Sequence, residues 1–130
     1  MPERSLAEVA EAIRTAWGPE TIYATDEPSR NPGSRSRSQC GTTALVLQDW
    51  LGGKITMADA FRDGRRVGVH YWNGLPGGED VDLTCDQFLP NETIGKGVEM
   101  PRPPDAAWRD HPGYGPYLVL RGRVAALLTL

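Results

Sequence analysis

Cysteine is scarce in this chain: among 130 residues there are two, Cys40 and Cys85, and histidine is as rare, at His70 and His111. Two distant cysteines make no disulfide framework. The four residues contain no close ligand pair of the C-x₂-C kind, so neither zinc nor another metal is expected. A phosphate-binding glycine loop between strand and helix is also missing, and no cofactor is expected. Long apolar runs are lacking too. None approaches the roughly 20 residues of a membrane helix, and the charged, amphipathic start "MPERSLAEVAEAIRTAW" has no signal-peptide core. A cytoplasmic protein with reduced thiols and no membrane partner is the expectation. With 14 basic and 17 acidic residues the net charge is −3, which gives no general attraction for nucleic acid. The local cluster Arg30, Arg35 and Arg37 is either an anion-binding site or a solvated loop.

Glycine (15) and proline (11) are abundant, so many turns are expected, and the length suits one domain with a single core. Ser5 with Glu8 three residues later forms a capping-box pattern. Leu6, Val9, Ala10, Ile13 and Trp17 then share a helical face that Gly18-Pro19 ends. Residues 25–38 read as a loop. A second helix is expected from Cys40 to Leu51, closed by Gly52-Gly53. "KITM" is a short strand. "RRVGVHYWN" and "EDVDLT" alternate on either side of "GLPGG", which predicts a hairpin. "CDQF" reads as a helical turn anchored by Gln87 and Phe88, with Cys85 half-buried. The proline-rich stretch 99–113 reads as a surface loop in which His111 faces solvent. The C-terminal segment is a helix, or a strand and a helix, with Tyr117, Leu120, Val124, Leu127 and Leu128 inward.

If the hairpin loop spans 74–78, paired positions sum to 152, and His70 stands opposite Asp82 on one face of the sheet. A carboxylate so placed accepts from one imidazole nitrogen and fixes the ring, the arrangement a thiol nucleophile needs in its base. Cys40 at a helix start meets partial positive charge that favours thiolate. Gln39 and the amides that follow are candidate oxyanion donors, and Gly41 gives a substrate access. Trp72 shares the His70 face as a pocket wall or a core residue. Asn73 binds substrate or shapes the turn.

The blocks "NPGSRSRSQCGTTALVLQDWLGGKI", "HYWNGLPGGEDVDLTCDQF" and "YLVLRGRV" resemble the YunG family of small bacterial proteins. Its positions Cys40, His70 and Asp82 are in turn similar to the Cys–His–Asp core of papain-like folds, in the transglutaminase and NlpC-type branches. The resemblance implies an α+β domain with a cysteine-bearing helix on a three- to five-stranded antiparallel sheet, flanked by terminal helices.

The expected function is acyl chemistry through a thioester, hydrolysis or transfer, on a small amide or peptide-like molecule. Cys40 is the nucleophile, His70 the base and Asp82 the orienting carboxylate, while Arg35 and Arg37 receive a substrate carboxylate. The alternatives are a non-catalytic binding module on the same scaffold and a redox sensor at Cys40. A monomer and a homodimer sealed by the apolar "VAALLTL" end are both compatible with the sequence.

Overall fold

The computed structural model describes residues 4–22, 39–85 and 90–129. Its first helix, α1 (Leu6–Ala16), starts where the capping box requires. The Ser5 hydroxyl accepts from the Glu8 amide at 3.2 Å, and the Glu8 carboxylate accepts from the Ser5 amide at 3.1 Å. Two of the orphan N–H groups of a helix start are thereby satisfied. Val9, Ala10 and Ile13 face inward as the periodicity predicts, joined by Ala12 and Ala16. A single 3₁₀ turn, Pro19–Thr21, follows.

Helix α2 (Cys40–Leu51) has the predicted bounds. Beyond it, Gly53 has φ 81° and lies so close to strand backbone that a Cβ would sit 2.1 Å from the Gly74 carbonyl oxygen, so only glycine fits. The short strand expected at "KITM" is the beginning of a nine-residue one, β1 (Lys54–Arg62). It turns directly into β2 (Arg65–Gly74) through Asp63 and Gly64, with φ of 51° and 78°. Two consecutive positive φ values make the two-residue hairpin turn that Asp-Gly favours. This main hairpin corrects the sequence reading, which placed a hairpin only after β2.

The expected hairpin after β2 also forms, with a different register. Strand β3 is only Asp80–Val81 and pairs Gly74 with Asp80 and Asn73 with Val81, so paired positions sum to 154 instead of 152. The loop spans 75–79, closed by the Leu75 amide donating to the Glu79 carbonyl at 2.8 Å. A loop one residue later shifts pairing by two, and because the side-chain period is two, faces are preserved.

Strands β4 (Glu92–Ile94) and β5 (Val98–Met100) share the other edge of β1, along its C-terminal and N-terminal parts respectively. The result is a five-stranded antiparallel sheet of order β3-β2-β1-β4, with β5 also on β1. A bulge at Ala60/Phe61 breaks the β1–β2 register. Along β1 the buried side shifts from Ile55 on one face to Ala58 and Ala60 on the other, so the sheet is covered on different faces at its two ends.

The last helix, α3 (Tyr114–Leu128), is continuous. Tyr117, Leu120, Val124 and Leu128 are buried as expected, whereas Leu127 is 37% exposed; it falls outside the one-in-3.6 stripe that faces α1 and α2. The apolar core is built by Val9 and Ile13 of α1, Val46 and Leu47 of α2, and Leu120 and Val124 of α3. The stretch after β5 is more than a surface wrap. Arg102 forms an ion pair with Asp49 of α2 at 2.7 Å and donates to the Tyr117 hydroxyl at 2.7 Å, and that hydroxyl donates to Asp49 at 2.6 Å. The Trp108 ring packs on Tyr114 and Tyr117, with centroids 4.8 and 5.5 Å away. Helix α2 lies mainly along β2. No helix among the described residues is long and apolar enough to cross a membrane.

Candidate functional site

His70 lies in β2, fully buried, and its Nε2 is 2.6 Å from Asp82 Oδ2. The observed register places Asp82 diagonally from His70, a separation side chains bridge when the strand end is free to turn. Asp82 is just past the end of β3, and its other oxygen is held by the Thr84 amide at 3.1 Å and the Thr84 hydroxyl at 3.2 Å. The carboxylate is thus fixed on both oxygens, one of them against the ring. Thr84 escaped the sequence reading. The pattern Asp-x-Thr was its signal, since an Asp side chain commonly bonds backbone two residues on.

Trp72 is on the same face as His70, and the two rings stack with centroids 5.7 Å apart and 26° between planes. Asn73, one residue on, points to the opposite face. It is buried, and its amide donates to the Ala44 carbonyl of α2 at 2.9 Å, so it fastens the strand to the helix.

Cys40 is the first residue of α2 and is only 2% exposed. Its neighbour Gly41 faces Tyr71, the neighbour of His70; a Cβ on Gly41 would be 3.8 Å from the Tyr71 ring. The helix mouth therefore abuts β2 at Tyr71, on the face that also carries Asn73, whereas His70 and Trp72 are on the other face. Gln39, immediately before, gives the helix no side-chain cap. Its carboxamide is turned toward the first 3₁₀ turn: Thr21 Oγ1 donates to Gln39 Oε1 at 2.7 Å, and Gln39 Nε2 donates to the Gly18 carbonyl at 3.2 Å. The Thr42 hydroxyl adds a bond to the Thr21 carbonyl at 3.0 Å, and Trp17 Nε1 donates to the Thr43 hydroxyl at 2.9 Å. Residues 17–21 thus brace the start of α2. The first intrahelical bond is from the Thr43 amide to the Gln39 carbonyl, so the amides of Gly41 and Thr42 precede the helical ladder.

Beside this mouth is a cavity of about 230 Å³ lined by Gly41, Leu45, Ile55, Tyr71, Met100 and Trp108, with Thr42 and His111 also in its wall. Leu45, Ile55, Tyr71, Met100 and Trp108 carry no functional expectation from sequence, because they come from five segments and form no local motif. His111 is exposed as expected, and its Nδ1 accepts from the Gly113 amide at 3.0 Å. Cys85 is exposed, not half-buried as predicted, because β3 has ended four residues before it. Arg30, Arg35, Arg37, Gln87 and Phe88 lie outside the described residues. Among the described residues no three His, Cys, Asp or Glu side chains gather as a metal set.

These features define a small α+β protein in which a cysteine-led helix adjoins a five-stranded antiparallel sheet that carries a buried histidine paired with a partly exposed aspartate. The chain belongs to the YunG family: the family model, described as YunG protein, matches residues 5–129. No curated protein and no solved structure matches the chain.

Proposed function

We propose that Cys40, His70 and Asp82 perform thiol chemistry on an acyl group, on a scaffold of the papain-like kind. The observation that carries this reading is the 2.6 Å contact between His70 Nε2 and an Asp82 carboxylate whose other oxygen is held by Thr84. With Nε2 engaged, Nδ1 is the nitrogen that exchanges a proton with sulfur. The reading requires it to reach Cys40 around the edge of β2, because α2 packs on the face opposite His70. The ring takes the Cys40 proton and sulfur attacks the carbonyl carbon of an amide or ester. The amides of Gly41 and Thr42 receive the developing oxyanion. The bond to the leaving group then breaks, and that group departs with the proton from the imidazolium. Water or an amine attacks the thioester, giving its proton to the ring. The sulfur leaves, recovering that proton, and the enzyme is restored.

The Gln39 carboxamide is bonded to Gly18 and Thr21, so its contribution is to hold the mouth in place, and the oxyanion role falls to backbone. A second reading, a non-catalytic module on this scaffold, is favoured by the 2% exposure of Cys40. Iodoacetamide alkylation of Cys40 across pH separates the two. In the enzyme the rate titrates well below the ordinary thiol value of about 8.5, in the range of roughly 3.5–7.5 seen for activated cysteines. A Cys40 that resists alkylation in the native protein, or titrates near 8.5, overturns the enzymatic reading.

A further inference from the structure

We infer that the cavity beside the α2 mouth is the acyl-side subsite and takes an uncharged, apolar acyl group about the size of a phenylacetyl. This rests on the acyl chemistry proposed above and names its substrate class. Position comes first: Gly41 and Thr42, the two residues after Cys40, form part of the wall. Cys40 itself is not among the lining residues; the space adjoins it through these two successors, and the acyl group of a thioester at Cys40 would extend into it.

Lining comes second. Leu45, Ile55, Met100 and the rings of Tyr71 and Trp108 surround the space, and no Asp, Glu, Lys or Arg is among the described lining residues. A charged group entering such a space loses hydration and meets only the Thr42 hydroxyl and the His111 imidazole among polar side chains other than the Tyr71 and Trp108 ring ends. An apolar group gains by burial. Size comes third. Apolar cavities of about 150 Å³ accept benzene, so about 230 Å³ holds an aromatic ring with a short extension.

The walls are also fixed in place. Arg102 ties the segment after β5 to α2 through Asp49 and to α3 through Tyr117, and the Trp108 ring meets Tyr114 edge-on and Tyr117 at a tilt. Met100 ends β5, paired with Ile55 of β1. Three walls on separate elements are thus bonded to one another, which allows selection by shape.

Cys40→Ala protein titrated with phenylacetamide, with succinamate as the charged counterpart, tests the subsite without any turnover. Expected are NMR shifts confined to the methyl groups of Leu45, Ile55 and Met100, and binding of succinamate roughly tenfold weaker or worse. Met100→Trp fills the space and should abolish phenylacetamide binding; Met100→Phe, a smaller change, should weaken it if the first variant fails to fold. In the protein with Cys40 intact, p-nitrophenyl phenylacetate should acylate Cys40 faster than p-nitrophenyl acetate, and Met100→Phe should erase that preference. Absent binding, equal binding of succinamate, or indifference to filling at Met100 overturns the subsite. The two proposals fail separately. Binding in Cys40→Ala without acylation of intact protein removes the chemistry and leaves the pocket. Acylation with no acyl preference removes the pocket and leaves the chemistry.

Discussion

Helices α1 and α2 begin in opposite ways. The start of α1 is completed by its own sequence, Ser5 and Glu8 bonding each other's backbone. That of α2 has no side-chain cap, and Gln39 turns away to Gly18 and Thr21. The far end of α2 likewise depends on distant residues, with Asp49 held by Arg102 and Tyr117. A helix capped locally carries its stability with it. One held by remote partners keeps its first amides available and is positioned to within their geometry. That difference is what a site needs, since a reactive group must be fixed by its surroundings, and it is one reason the proposed chemistry is placed at the start of α2.

The sharpest way to break this comparison is His70→Ala. If the α2 mouth carries an activated thiol, Cys40 alkylation at neutral pH should slow roughly hundredfold, the usual scale of a lost general base. Ser5→Ala should leave that rate unchanged. Equal rates in wild type and His70→Ala would remove the distinction between the two helix starts.

Next in size is Tyr117→Phe, which takes a hydroxyl from between Asp49 and Arg102. Bonds to charged groups contribute about 1.5–3 kcal/mol, measurable as a lower urea midpoint. The same residue sets an alkaline limit. Burial, helped by the bond to Asp49, raises the Tyr117 pKa above its ordinary 10.0. Above pH 10 the unfolded chain releases this proton before the folded one does. Its stabilisation is therefore complete below pH 10 and is lost as pH rises toward the folded value. A urea series from pH 9 to 11 should show that decline, and Tyr117→Phe should flatten it.

Gln39→Ala leaves the buried Thr21 hydroxyl and the Gly18 carbonyl without this partner, a cost of about 1–3 kcal/mol. It should also alter Cys40 alkylation, because the brace on the mouth is gone. A loss of stability with no change in alkylation would reduce Gln39 to a general core contact.

Smallest is the locally capped end. Ser5→Ala should cost about 1 kcal/mol, seen in thermal unfolding and independent of Cys40. The Glu8 carboxyl lies below its ordinary 4.5, chiefly through its bond to the Ser5 backbone and then to the Ser5 hydroxyl. Its contribution is present above that value and is lost as pH falls through the folded one. Glu8→Gln should weaken this acid dependence slightly.

The same contrast explains what was legible. The bounds of α1 and α2 and the inward face of α1 could be read from capping residues, glycine stops and 3.6-residue spacing, because each signal is local. The last segment stayed open between one helix and a strand with a helix, and Leu127 was wrongly counted on its inward face. The pairing of His70 with Asp82 was readable although the register was off by two, since parity alone decides the face. The β1–β2 hairpin was legible at Asp63-Gly64 and was passed over. The diagonal approach of Asp82, its clamp by Thr84 and the cavity from Leu45 to Trp108 were not readable. They depend on where β3 stops and on which remote segments meet.

By itself the sequence determined the α1 cap, the span of α2, the positions Tyr117, Leu120, Val124 and Leu128 of the α3 stripe and the shared face of His70 and Asp82, all through interactions within a few residues or through helix and strand periodicity. Only the tertiary structure decided that Gln39 braces instead of capping, that Asn73 ties β2 to α2, and that an apolar cavity opens beside Gly41. Those outcomes arise from contacts between residues far apart in the chain, and no local spacing encodes which distant group will be waiting.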